Sequence, residues 1–170
     1  LKLEPAKIRI IDNFIRGSHA NMINFSDNPL VEFVEGDIRD NALLESVIAG
    51  CDYVFHMAAL RINACAADPR EGFEVMLRST FDVAELCVKH KVKKIIYSSS
   101  ASVYGLAQHF PTPETDNPYD NQTFYGAAKM WGEQLFRSFK FMYGLDYAAL
   151  RYFNAYGPRM DTDGKYTEVM

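Results

Sequence analysis

Along this chain, short apolar runs alternate with longer stretches in which apolar residues recur at helical spacing. Ile8-Arg9-Ile10-Ile11 is a compact β-branched run that stops at Asp12-Asn13, the pattern of a buried strand running into a loop. Val31-Glu32-Phe33-Val34 alternates apolar and polar positions and stops at Gly36-Asp37, predicting a second strand. Asp40 reads as the N-cap of a helix over 41–49, with Leu43, Leu44, Val47 and Ile48 on one stripe and Gly50 just past its end. Tyr53-Val54-Phe55 predicts a third strand, opening into His56-Met57-Ala58-Ala59, whose small residues let another group approach the backbone closely. Phe73, Met76, Leu77, Phe81, Ala84 and Val88 predict a helix from about 69 to 90. A fourth strand over 94–97 runs into Ser98-Ser99-Ser100. A loop rich in Pro, Asn and Asp then covers 105–123 and leads to a long helix over 125–143 and a fifth strand over 147–152.

Strands alternating with helices predict an α/β fold, a doubly wound and mostly parallel sheet covered on both faces. Ligands of such sheets sit beyond the C-terminal strand ends. Asp12, Asp37, His56, Ser98 to Ser100 and Asn154 all fall there.

Composition narrows the class. In 170 residues, 48% hydrophobic and 24% charged, there is material for one sizeable core. A formal net charge of −4 leaves no basic face for nucleic acid or an anionic membrane, and no apolar run reaches the length of a membrane span. Lys89, Lys91, Lys93 and Lys94 form the one dense basic cluster and read as a solvated helix end. Cys51, Cys65 and Cys87 have neither disulfide nor metal spacing, so no metal site is expected and a reducing cytoplasm fits best.

The chemistry concentrates in Tyr125-Gly126-Ala127-Ala128-Lys129. On a helix Tyr125 and Lys129 are one turn apart on one face, so the ammonium can favour the phenolate that a base near neutral pH requires. Ser100, one crossover earlier, brings a strand-end hydroxyl toward the same point, although such serines also satisfy loop backbone. Asp12 can accept both hydroxyls of an adenine ribose and repel a 2′-phosphate, pointing to NAD over NADP; it also reads as a loop Asp capping its own turn. Arg16 nearby leaves that choice open. Asp37 and Ile38 can frame an adenine ring, the carboxylate on the amino group and Ile38 on the face, and Asp37 equally fits a turn. His56 reads as a packed, hydrogen-bonded histidine outside the chemistry.

These pieces together resemble the extended short-chain dehydrogenases/reductases, and within them the NAD-dependent nucleotide-sugar epimerases. The resemblance rests on Asp12-Asn13, Gly36-Asp37-Ile38-Arg39-Asp40, His56-Met57-Ala58-Ala59, Tyr97 to Gly105, Tyr125 with Lys129, and Arg151-Tyr152-Phe153-Asn154-Ala155-Tyr156-Gly157-Pro158-Arg159. It implies a Rossmann-like fold with NAD as cofactor and a nucleotide sugar as substrate. Ser100 and Tyr125 would handle the substrate hydroxyl, and Lys129 would hold the nicotinamide ribose while lowering the Tyr125 pKa. Asp12, Asn13, Asp37 and Ile38 would hold the adenosine end, with Met57, Ala58, Ala59, Ser98 and Tyr152 also lining the cofactor. Asn154 would lie beside the substrate phosphates. Ser100-Ala101-Ser102 stands where related sugar dehydratases usually carry a Thr-Asp-Glu-like triplet, which favours epimerisation; a nucleotide-sugar dehydratase or reductase, or a degenerate paralogue that binds without chemistry, is the alternative reading.

The resemblance also implies what the chain departs from. None of its ten glycines forms the Gly-x-x-Gly-x-x-Gly turn that holds the pyrophosphate, so the chain is expected to open at the family's second strand and to leave a gap between the strands at Ile8 and Tyr53. Residues 1–156 are then the cofactor-binding domain and 157–170 the start of the substrate region. Met76-Leu77-Arg78-Ser79-Thr80 replaces the usual Val-Asn-x-x-Gly-Thr, with Met76 for an Asn near the active-site backbone and Ser79 for a packing glycine. Helices 69–90 and 125–143 are those through which the family usually forms homodimers.

Overall fold

The computed structural model describes residues 4–116 and 120–157. Among these residues, five parallel strands form two sheets. β1 (Ile8–Asp12) pairs with β2 (Val31–Glu35) in the register Ile10 to Phe33. β3 (Tyr53–His56), β4 (Lys94–Ser100) and β5 (Asp146–Tyr152) form the second sheet in the order β3-β4-β5. β1 and β3 are not paired, so the break falls at the expected gap. Arg9 crosses between the two units by donating from Nη1 to the carbonyls of Val47, 3.0 Å, and Ala49, 2.7 Å.

Helix α1 (Asn41–Ile48) starts where Asp40 accepts the N–H groups of Ala42 and Leu43, and Gly50 follows at φ +77°. Between β3 and β4 the expected single helix is built in pieces. α2 (Ile62–Ala67), which no apolar stripe announces, comes first; α3 (Pro69–Phe73) then runs through a π-helical turn, Glu74–Arg78, into α4 (Ser79–Lys89). Helix α5 (Phe124–Tyr143) ends at Gly144, whose φ of +76° favours glycine.

Strand β4 sits at the centre of the second sheet and buries Ile95, Tyr97 and Ser99 on one face. Tyr97 packs on Phe136 of α5 with ring centroids 5.1 Å apart, and Phe139 meets Phe81 of α4 edge-on. Leu44, Ile48, Val83, Ala84 and Cys87 extend this core under α1 and α4. The lysine cluster is a solvated face held by carboxylates: Lys89 to Glu45, Lys93 to Asp52 and Lys94 to Asp146. Among the described residues, no helix is long and apolar enough to cross a membrane.

Candidate active site

Parallel strands deliver their C-terminal ends to one side, and the residues singled out from the sequence end up there. His56, Ser100 and Tyr152 are the last residues of β3, β4 and β5, and Asp12 is the last of β1. The start of α5 is fastened to the end of β4 by Asn121. Its amide donates to the Ser102 carbonyl at 2.5 Å, while its Oδ1 accepts the Thr123 N–H at 3.1 Å. Thr123 in turn caps α5 by accepting the Gly126 N–H. A Cβ on Gly126 would collide with Asn121, so the glycine beside Tyr125 gives Asn121 its place. Asn121 was not legible as a site residue; its one signal is its position two residues before a Thr cap.

This fastening brings Ser100 and Tyr125 together. The Ser100 hydroxyl accepts the Ser102 N–H at 3.1 Å, donates to the Ser102 hydroxyl at 3.2 Å, and lies on the Tyr125 side, where it favours the phenolate. Lys129, 3% exposed, donates from Nζ to the Ser98 carbonyl at 2.6 Å. Its ammonium lies 5.1 Å from the Tyr97 ring centroid and 5.7 Å from that of Tyr125. Burial lowers the Lys129 pKa from 10.5 to about 8.

One expectation is corrected. The Tyr125 phenol lies above its ordinary pKa: burial raises it, and the nearby Ser100 hydroxyl only partly offsets that rise. The lysine aims its hydrogen bond at a backbone carbonyl and not at the phenol.

The adenosine-side residues also gather. Asp12 is exposed, its Oδ1 accepting the Phe14 N–H at 2.8 Å. Asn13 donates to Asp37 Oδ2 at 3.1 Å. Arg39 grips both Asp37 oxygens, which holds that carboxyl well down, at about 2. Ile38 departs from the expected face-packing role: at 8% exposure its side chain belongs to the core. Met57, Ala58 and Ala59 form an exposed segment after β3, and Tyr152 and Asn154 are exposed at and beyond the end of β5. Pro158, Arg159 and nearly all of the region expected from 157 lie outside the described residues.

His56 is packed as expected. It is buried with Nε2 2.9 Å from Thr80 Oγ1, and its pKa is pushed down to about 3 by burial, so it is neutral near pH 7. Met76, in the π-helical turn, takes over an acceptor role: its Sδ receives the Leu60 N–H at 3.2 Å. Ser79 Oγ donates to the Glu74 carbonyl at 2.9 Å. A π-helical turn beside a functional site is a recurring feature of helices.

Residues 1–170 match the NAD dependent epimerase/dehydratase family. The chain belongs to that family. The family is NAD dependent, and its Rossmann-like α/β fold is the one seen here. A putative UDP-glucose 4-epimerase of Methanocaldococcus jannaschii is 33% identical over 159 residues, 92% of this chain and 50% of the relative. A solved UDP-N-acetylglucosamine 4-epimerase from Methanobrevibacter ruminantium, in complex with UDP-N-acetylmuramic acid, superposes with a TM-score of 0.90 at 36% identity, covering 96% of this chain and 52% of its own. A dTDP-glucose 4,6-dehydratase double mutant from Streptomyces venezuelae, with NAD bound, gives 0.85 at 27% identity over 92% of this chain and 49% of its own. The chain thus spans about half the length of the relatives it matches.

Proposed function

We propose that the protein carrying this chain epimerises a nucleotide sugar, a UDP-sugar at C4, through a transient 4-keto intermediate with NAD as cofactor. The observation that carries this reading is the convergence of Ser100, Tyr125 and Lys129 at the end of β4 and the start of α5. The residues present fit the cofactor. The buried Lys129 ammonium has three N–H donors and, among the described residues, a single acceptor in the Ser98 carbonyl, leaving donors for ribose hydroxyls. Asp12 offers an exposed carboxylate at a strand end for the adenine ribose, beside Asn13 and Asp37.

When bound, NAD would supply reversible hydride acceptance at C4 of the sugar. Tyr125, as phenolate, takes the proton of the 4-hydroxyl and later gives it back to the keto oxygen. Ser100 donates a hydrogen bond to the reacting oxygen. Lys129 would hold the ribose and place a positive charge beside the phenol, and Asn154 would lie beside the substrate phosphates. Ser100-Ala101-Ser102 places no carboxylate at the turn after β4, which favours epimerisation over dehydration.

In this reading residues 1–156 form the cofactor-binding part and 157–170 begin the substrate region. The free thiols Cys51, Cys65 and Cys87 suit a cytoplasmic setting. A homodimer through α3, α4 and α5 accords with Phe73, Phe81, Phe141 and Met142, all exposed on those helices.

In the full-length enzyme, Tyr125→Phe is expected to lower kcat by about 100-fold or more, the usual weight of a positioned acid or base, while the far-UV spectrum and Tm stay at parent values. Epimerase turnover retained in the folded variant would overturn the assignment.

A further inference from the structure

Beneath the proposed catalytic group lies a second cluster that the chemistry above does not use. Glu133 is one helical turn beyond Lys129 on α5 and accepts the Ser99 hydroxyl on Oε1 at 2.5 Å. Arg151 of β5 is the register partner of Ser99 of β4, so the two side chains stand side by side on neighbouring strands. Arg151 forks onto the same carboxylate, Nε to Oε1 at 2.9 Å and Nη2 to Oε2 at 2.8 Å. Its remaining nitrogen, Nη1, donates to the Glu114 carbonyl at 2.8 Å, and the guanidinium lies 4.8 Å from the Tyr104 ring centroid. The cluster therefore joins β4, the turn after it, the loop into α5, α5 itself and β5.

A largely buried ion pair is poor evidence of stabilisation, since apolar replacements are often neutral or better. What a forked guanidinium–carboxylate pair does supply is a fixed plane and distance. Here that plane holds Ser99, and Ser99 sits between the two residues whose placement matters. Its neighbour Ser98 presents the carbonyl that holds Lys129, and its neighbour Ser100 presents the hydroxyl that meets Tyr125.

We propose that Glu133 and Arg151 are positioning residues: by gripping Ser99 they fix the end of β4 against α5, and so hold the Ser98 carbonyl on Lys129 and the Ser100 hydroxyl at Tyr125. The functional meaning rests on the catalytic reading above; the geometry is testable without it.

The test is the titration of Lys129 in the full-length protein, followed by NMR of carbon-13-labelled lysine and assigned with Lys129→Met. The groups facing the ammonium are Tyr97 of β4, Tyr125 on its own helix, Cys65 of α2 and His56 of β3, and none of them is altered. The double variant E133Q/R151M removes one negative and one positive charge, so net charge is conserved and no lone buried charge remains. A carbonyl acceptor favours the ammonium, so losing its alignment is expected to move the midpoint below its parent value near 8 by about half a unit or more.

Arg151→Lys keeps the charge without the fork and is expected to shift the midpoint the same way by less. A folded double variant whose midpoint stays at the parent value would overturn the proposal and leave the pair purely structural. Should the double variant fail to fold, Ser99→Ala decides by the same criterion: a downward shift supports the device and an unchanged midpoint overturns it. The titration uses neither cofactor nor substrate, so an active Tyr125→Phe enzyme would end the catalytic reading without touching this result.

Discussion

Burial of the Lys129 ammonium lowers its pKa from 10.5 to about 8, a shift that corresponds to about 3 kcal/mol unfavourable to the charged folded form. The hydrogen bond to the Ser98 carbonyl recovers part of this, and losing it would cost about 1–3 kcal/mol. Lys129→Met is therefore expected to change stability by between nothing and about 2 kcal/mol in the stabilising direction at pH 7, while removing the cation the proposed chemistry needs. The pH dependence has a definite sign. Between pH 8 and 10.5 the unfolded state binds more protons at this lysine than the folded state does, so the parent gains stability as pH rises and the variant does not. The advantage of the methionine should be largest below pH 8 and fade toward 10.5. Urea unfolding of both proteins across that range measures it. A variant clearly less stable below pH 8 would mean that the buried ammonium supports the fold.

Helix α5 carries the site because three requirements fall on one of its faces: Tyr125, Lys129 and Glu133 at successive turns. The first two were legible as a pair with a chemical purpose. Glu133 was not, because a carboxylate on a long helix usually faces water and its partners Ser99 and Arg151 come from distant strands. The helical period also marked α1 and α4, whose stripes are regular. It missed α2, since Ile62-Asn63-Ala64-Cys65-Ala66-Ala67 has little apolar contrast, and it could not show the π-helical turn around Met76, whose Sδ accepts the Leu60 N–H from outside the helix. Gly132 is a further position whose role only packing reveals. In an exposed helix, Gly→Ala typically stabilises by about 1 kcal/mol. Here an added Cβ would run into the Tyr97 hydroxyl and ring, which sit between α5 and β4. Gly132→Ala is expected to destabilise instead, by about 1–3 kcal/mol in chemical denaturation. A neutral or stabilised variant would show that Tyr97 can swing aside.

At the scale of the molecule, the alternation of strands and helices predicted a parallel α/β sheet and the family resemblance implied a gap between the strands at Ile8 and Tyr53; the two separate sheets have that arrangement. Pattern alone could place the strands but not weigh the two halves, because the difference lies in how each sheet is tied to the core. Strand β4 has a partner on each side and its Tyr97 packs under Phe136 of α5, whereas among the described residues β1 and β2 pair only with each other. Their ties to the rest include the Arg9 bonds to α1 carbonyls and the packing of Ile11 and Ile38 on the core. On β3, Tyr53 and Phe55 are 58% and 67% exposed, so that edge adds little apolar burial between the sheets. The pair β1-β2 should therefore open at a lower free energy than the sheet around β4, since local stability follows buried contact and shared hydrogen bonds. Native-state hydrogen exchange on the 170-residue chain tests this: amides of β1 and β2 are expected to exchange at least about 10-fold faster than those of β4, a difference of about 1.4 kcal/mol in opening free energy. Adding NAD should slow exchange in both halves together if Asp12 and Lys129 hold opposite ends of one ligand, because binding then couples the two openings. Equal protection of β1 and β4 in the free chain would mean that the two sheets already behave as one cooperative unit.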